Sequence, residues 1–254
     1  MSSFLQVNQV SRLFGGVAAL LDVSFAVSTG SVTGLIGPNG SGKTTLMNII
    51  SGVDVPSAGA VLLDGAPIQL LPSHTLARRG VARTFQHIRL IPDLSAVQNV
   101  TLAMHAPAAG PLDILLRLPR LRRVETERRS RAVALLEQVG AGHHADRPVG
   151  DLSYGDRRRV EIARALASEP RLLLLDEPAA GMSHGERVAL RALIASLPGL
   201  GITVLLVEHD MDLVMGVCDE LHVLNQGTAI ASGKPDAVRA NPKVIEAYLG
   251  VEDA

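Results

Sequence analysis

Apolar residues in the first third of the chain come in short bursts separated by turn-forming residues. FLQVNQV, then FGG, then DVSFAVSTGSVTGLIG alternate in this way over residues 4–36. The pattern predicts antiparallel strands that feed a buried strand, Val32–Ile36. A first helix is expected over Thr44–Ile50, with Leu46, Ile49 and Ile50 on its buried face and Gly52 near its stop. GAVLLDGAPIQLL, residues 59–71, reads as a hairpin turned at Asp64-Gly65.

From about Leu90 to Ser168 strand-like runs vanish, and Arg and Ala are dense. RLRRVETERRSRAVALLEQVG spaces Val124, Ala132, Leu135, Leu136 and Val139 along one face of an amphipathic helix whose other face is wet. Residues 92–160 are therefore expected to form a helical subdomain inserted into a sheet. Residues 171–176 and 202–208 return to buried-strand texture, with a helix between them over Gly185–Leu197. KPDAVRANPKVIEAYLG predicts two short helices separated by Asn241-Pro242. No internal repeat is visible. The chain reads as one domain over 1–254: an α/β core at about 1–91 and 161–240, the helical subdomain at 92–160, and a helical tail at 235–254.

Bulk properties narrow the partners. A 254-residue chain with 47% hydrophobic residues can bury a large core. Net charge −1, 2% aromatics and no Trp give no basis for nucleic-acid binding. The lone Cys218 excludes an intrachain disulfide and fits a reducing compartment as a small buried residue. No run approaches the roughly 18 apolar residues needed to cross a bilayer. The N-terminal stretch lacks a basic region followed by an apolar one. A cytoplasmic chain is expected, with any membrane role exerted through a partner.

Gly37-Pro38-Asn39-Gly40-Ser41-Gly42-Lys43-Thr44, followed by Thr45, matches G-x-x-x-x-G-K-[ST] at every fixed position and lies between a predicted strand and a predicted helix. Glycines let successive N–H groups turn toward a phosphate, and the helix presents its positive end to the same anion. Lys43 is expected to reach the β- and γ-phosphates of a nucleotide, and the Thr44 hydroxyl to ligate Mg²⁺.

RLLLLDEP places Asp176 and Glu177 at the end of a buried strand, where open α/β sheets bind ligands. Asp176 is expected to hold Mg²⁺ through water. Glu177 is expected to act as general base on an attacking water. In LSYGD, Ser153 with Asp156 three residues on is a capping-box pattern that opens a helix.

Together these segments make the chain resemble the ATP-binding subunits of ABC transporters, whose usual signature LSGGQ stands here as Leu152-Ser153-Tyr154-Gly155-Asp156. The resemblance runs from Phe4 to Gly250. It implies a P-loop α/β core with an N-terminal antiparallel β region and an inserted helical subdomain. It also implies that Ser153, Tyr154 and Gly155 contact the γ-phosphate of ATP held by a second ATPase subunit, identical or different, closed head-to-tail. Gln86 in RTFQHIRL matches the residue that senses Mg²⁺ and the attacking water. His209 in LLVEHDMDLV matches the histidine that steadies the transition state. Phe14 in RLFGG matches the aromatic that stacks on adenine.

ARTFQHIRLIPDLSAVQNV, Tyr154, DEPAAGM, VEHDMDLVM and NPKVIEAYLG look more narrowly like the ATPases of branched-chain amino acid importers. That resemblance implies membrane permease subunits as partners, an extracytoplasmic solute-binding protein acting indirectly, and a peripheral place on the cytoplasmic face of the inner membrane. Urea or amide importers and lipid exporters of the same architecture remain alternatives. A soluble ABC ATPase of DNA repair or translation would usually carry a coiled-coil insert or two ATPase units. A module without turnover is disfavoured by Glu177, Gln86 and His209. Two departures stand out. Asp156 replaces the usual Gln and is expected to place negative charge near the partner's γ-phosphate. Ala179-Ala180-Gly181-Met182 lacks an Asp common in the family. The arginines at 117, 120, 122, 123, 128, 129 and 131, interleaved with Glu125, Glu127 and Glu137, read as a solvated helix face, and His143-His144 as surface.

Overall fold

The computed structural model describes residues 3–104 and 119–249. Its strands are β1 (Ser3–Phe14), β2 (Val17–Ser28), β3 (Val32–Ile36), β4 (Ala58–Leu63), β5 (Ala66–Pro67), β6 (Val81–Arg83), β7 (Leu172–Asp176), β8 (Thr203–Val207), β9 (Glu220–Asn225) and β10 (Thr228–Gly233). Its helices, numbered over the described residues, are α1 (Lys43–Ile50), α2 (Ser73–Arg78), α3 (Ala96–Leu102), α4 (Pro119–Gln138), α5 (Tyr154–Leu166), α6 (His184–Ser196), α7 (Met211–Val217), α8 (Pro235–Arg239) and α9 (Pro242–Leu249). Contacts divide the chain into two units, one of residues 1–83, 171–179 and 194–254, the other of 84–170 and 180–193.

The first unit holds both sheets. One is antiparallel, in the order β2-β1-β4-β5; the other runs β10-β9-β3-β8-β7-β6. In the second sheet β9, β3, β8, β7 and β6 are parallel, and only the edge strand β10 is antiparallel. Strands β3, β7 and β8 are buried at every residue, which is why each reads as an unbroken apolar run. Leu46, Met47, Ile49 and Ile50 of α1 join Leu5, Val7 and Leu20 of the antiparallel sheet and Leu174 and Leu205 of the parallel one in a single core cluster. Full burial of each such side chain favours folding by about 1.5–3 kcal/mol relative to exposure. The β4–β5 hairpin turns at Asp64 and Gly65, both with positive φ as a type I′ turn requires.

The second unit packs α3, α4 and α5 together. Helix α3 opens with a complete capping box, Ser95 with Gln98. Val97, Val100, Ala132, Leu136 and Val160 supply the buried faces. This unit spans residues 84–170 and 180–193. Buried charges fasten the 84–91 segment to α5, as shown below. The arginine-rich face of α4 is only partly free. Arg123, Arg129 and Arg131 are exposed, beside Glu127, Asp146 and Glu169 respectively, whereas the partly buried Arg128 donates to the carbonyls of Thr101 and Met104. Arg117 and the side chains of Arg120 and Arg122 lie outside the described residues.

Candidate active site

Parallel pairing sends the carboxyl ends of β3, β7 and β8 to one edge of the sheet. The phosphate loop follows β3, Asp176 and Glu177 end β7, and Glu208-His209 follow β8. Sequence segments more than a hundred residues apart thus meet at the edge where α/β sheets bind ligands.

Within the loop, Pro38 and Ser41 are buried, Asn39, Gly40 and Thr44 are exposed, and Gly42, Lys43 and Thr45 are partly buried. Gly37 is held against the end of β9: a Cβ there would stand 2.1 Å from the Leu224 carbonyl oxygen. The Lys43 ammonium lies inside the loop and donates to the carbonyls of Gly37 at 2.7 Å and Pro38 at 2.8 Å. Burial lowers the Lys43 pKa, while the charges of Glu177 and Asp176 oppose the shift. No side chain caps α1, whose N-cap is Gly42, so its first N–H groups are left for an anion.

Asp176 is 4% exposed. Its Oδ2 accepts from Arg83 Nη2 at 2.9 Å, and Arg83 Nη1 donates to Asn48 Oδ1 on α1 and to Ser51 Oγ at its C-terminal cap, each at 2.8 Å. Arg83 thereby joins the end of β6, the helix behind the phosphate loop and the acidic strand end. Glu177, partly exposed, has φ of 47°, in the left-handed region, and its N–H donates to the Val207 carbonyl at 2.9 Å. A non-glycine residue held there marks a site where strain is fixed by its surroundings.

Glu208 is 1% exposed. Its carboxylate accepts from the backbone N–H groups of Ala179 at 2.8 Å, His209 at 3.0 Å and Asp210 at 3.3 Å. It therefore fixes the loop after Glu177 and the loop bearing His209 at once. The His209 ring itself is exposed, with Nδ1 3.9 Å from Glu208 Oε2. Phe14, at the end of β1, is half-exposed.

Ser153, Tyr154, Gly155 and Gln86 belong to the second unit. Ser153 caps α5 by accepting from the Asp156 N–H at 3.1 Å. The box is not reciprocal: the Asp156 carboxylate instead accepts from the Ser153 hydroxyl at 2.7 Å. It also lies 3.3 Å from His144 Nε2 and 3.6 Å from Arg159 Nη1. The Asp156 carboxylate is thus engaged inside the unit. The expected surface position of His144 is corrected, since its side chain is only 11% exposed.

Arg158 and Glu161, both buried, form an ion pair at 2.6 Å, and Arg158 Nη1 also donates to the Phe85 carbonyl at 2.5 Å. Arg164 donates to the Arg89 carbonyl. The segment carrying exposed Gln86 is therefore fastened to the helix that the signature opens. Arg83, Glu208, Arg158, Glu161 and His144 are the functional neighbours that sequence reasoning missed. RTFQ and VEHD contained two of them, but charge alone gave no sign of burial.

A phosphate loop, an acidic strand end beside it and a signature-opened helix in a separate helical unit define an ATP-binding cassette. The chain belongs to the ABC transporter family, whose model matches residues 20–180. It is an ABC ATPase. A second model, described as branched-chain amino acid ATP-binding cassette transporter, matches residues 230–254. The chain is 44% identical over 248 residues to the high-affinity branched-chain amino acid transport ATP-binding protein LivG of Escherichia coli, covering 97% of each. It is 46% identical, with the same coverage, to the corresponding protein BraF of Pseudomonas aeruginosa. The solved structure of a nucleotide-free ATP-binding cassette from an ABC transporter superposes with a TM-score of 0.85 at 33% identity, over 97% of this chain and 99% of that one.

Proposed function

We propose that the chain binds and hydrolyses ATP to power uptake of branched-chain amino acids through separate permease subunits at the cytoplasmic face of the membrane. The observation that carries the hydrolytic reading is the gathering of Lys43, after β3, with Asp176 and Glu177, at the end of β7, on one edge of the parallel sheet with β8 between them, where both carboxylates act on the Lys43 charge. The substrate class rests on LivG and BraF and on the tail matched over 230–254. Among the described residues no helix is long and apolar enough to cross a membrane, so coupling to transport needs permease partners.

In this reading the loop N–H groups and Lys43 bind the phosphates, and Phe14 takes the adenine. Glu177 orients and deprotonates the water that attacks the γ-phosphorus; the bond to the β–γ bridging oxygen breaks, leaving ADP and phosphate. His209 donates to the γ-phosphoryl oxygens. Ser153, Tyr154 and Gly155 serve the nucleotide of a second ATPase subunit, which returns the same service, and Gln86 senses the reacting phosphate. Thr44 and Asp176 offer Mg²⁺ hard oxygen donors, a set that fits an ion usually completed by water and phosphate. When bound, Mg²⁺ supplies charge neutralisation at the β- and γ-phosphates.

The test is uptake of labelled leucine by proteoliposomes holding this chain, its permease and its partner ATPase, with a solute-binding protein outside. ATP-dependent leucine uptake is expected. ATP hydrolysis without any branched-chain uptake would leave the ATPase reading and overturn the substrate.

A further inference from the structure

The ring of Phe14 does not stand alone at the end of β1. The guanidinium of Arg12 lies over it, with Cζ 4.5 Å from the ring centroid. Arg12 is in turn anchored: Nε donates to Asp54 Oδ2 at 3.0 Å and Nη2 to Asp54 Oδ1 at 2.7 Å, a two-bond fork that fixes the guanidinium plane. Asp54 is fixed as well, because Oδ1 accepts from the Val55 N–H at 2.8 Å. The strand end is stitched to the same segment by Leu13 N–H to Ser57 Oγ at 3.1 Å and by Ser57 N–H to the Ser11 carbonyl at 2.8 Å. Segment 54–57 follows α1, the helix that opens at Lys43. Arg12 is three-quarters buried and Phe14 half-exposed. One face of the ring is thus occupied by a held cation, while the ring stays open to solvent.

We propose that Arg12 is a nucleobase-recognition residue, completing a three-layer stack of guanidinium, Phe14 ring and purine base. The inference rests on the reading of Phe14 as the base platform. Two physical effects support it. The anchored cation holds the ring in one orientation before ligand arrives, which removes an ordering cost from binding. It also draws electron density toward its own face, so that the opposite face stacks better on an electron-rich purine. A stack of this kind reads the face of the base and not its edges. ATP and GTP therefore gain from it alike, and inorganic tripolyphosphate gains nothing. If Arg12 served only as half of a surface ion pair, it would contribute little, and its loss would not distinguish ligands with a base from ligands without one.

The experiment is calorimetric titration of the full chain with Mg-ATP, Mg-GTP and Mg-tripolyphosphate. Arg12→Met keeps most of the apolar stem and removes the cation. ATP and GTP affinities are expected to fall roughly two- to five-fold as the ring loses its held orientation, with tripolyphosphate affinity unchanged. Asp54→Asn, which loosens the anchor, should shift the same pair in the same direction, and it decides the matter if Arg12→Met fails to fold by circular dichroism. Equal losses for all three ligands, or no loss for ATP and GTP, would overturn the inference. Phe14→Ala separates the two readings. If it lowers nucleotide affinity selectively while Arg12→Met and Asp54→Asn do not, the role of Arg12 fails and the platform stands. If it leaves the ratio of ATP to tripolyphosphate affinity unchanged, the platform reading fails and the stack with it.

Discussion

Tyr154 and Gly181 fit against each other: a Cβ on Gly181 would stand 2.8 Å from Tyr154 Cδ1. The aromatic residue that stands where LSGGQ has its first glycine is accommodated by a glycine in the loop after Glu177. Tyr154 of the signature and Gly181 of the AAGM segment are therefore parts of one packing arrangement. Gly181 also has φ of 71°, which a side chain resists. Gly181→Ala should cost about 1–3 kcal/mol in a urea melt. Tyr154→Ala should return part of that loss in the double variant, because the clash is removed while the backbone strain stays.

Arg158 and Glu161 pair at essentially zero exposure. Removing one partner leaves the other buried and unpaired. Glu161→Leu alone is expected to destabilise the chain by about 3–5 kcal/mol. Replacing both, with Met at 158 and Leu at 161, should cost less than the single change. Limited proteolysis should then show the 84–91 segment opened, since the Phe85 carbonyl loses its donor. Equal losses for the single and double variants would show that the pair matters only as a sum of separate contacts.

Glu208 accepts from N–H groups on two loops, and its burial leaves those donors no water to turn to. Glu208→Gln is expected to lower the rate of ATP hydrolysis about ten-fold or more while ATP affinity changes by less than about three-fold, since a misplaced His209 and Glu177 loop affects the reaction more than binding. A parallel loss of affinity would mean that the phosphate loop had moved as well.

Much of the fold is legible in the sequence because its periodicity is strong. The apolar runs of β3, β7 and β8 and the Asp64-Gly65 turn each have a local physical cause. Strand β6, three residues long, and the β9–β10 hairpin, turned by Gln226-Gly227, lack such a signal. At the site, Lys43 and Glu177 stand out because their motifs have fixed spacing. Arg83, Arg158 and Glu208 do not. A buried charge and a surface charge are the same letter in a sequence, and only long-range partners such as Asp176 and Ala179 distinguish them. The partners of Asp156 are hidden for the same reason: His144 comes from a turn and Arg159 from the next turn of its own helix.

Cys218 offers a test of core packing. Burial pushes its thiol from an ordinary 9.0 up to about 12, with Asp219 adding to the shift. The folded chain holds this proton after the unfolded chain has released it, so stability is intact below about pH 9 and falls as pH rises toward 12. At pH 10 the loss from this group should be about 1.4 kcal/mol. A thiol reagent at pH 8 should label the native chain far more slowly than the urea-unfolded chain. Equal labelling rates would show that the thiol is accessible.

The most direct measurement is phosphate release by Glu177→Gln beside the wild type, in the assembled transporter, with ATP affinity measured on the same preparations. The amide keeps the shape and hydrogen-bonding reach of the side chain and cannot take a proton from water. ATP should bind within about three-fold of the wild-type affinity, and turnover should fall by roughly 10²–10⁴-fold, the contribution of a positioned general base. Turnover near that of the wild type would contradict the assignment of Glu177 and, with it, the hydrolytic mechanism built on the ends of β3, β7 and β8.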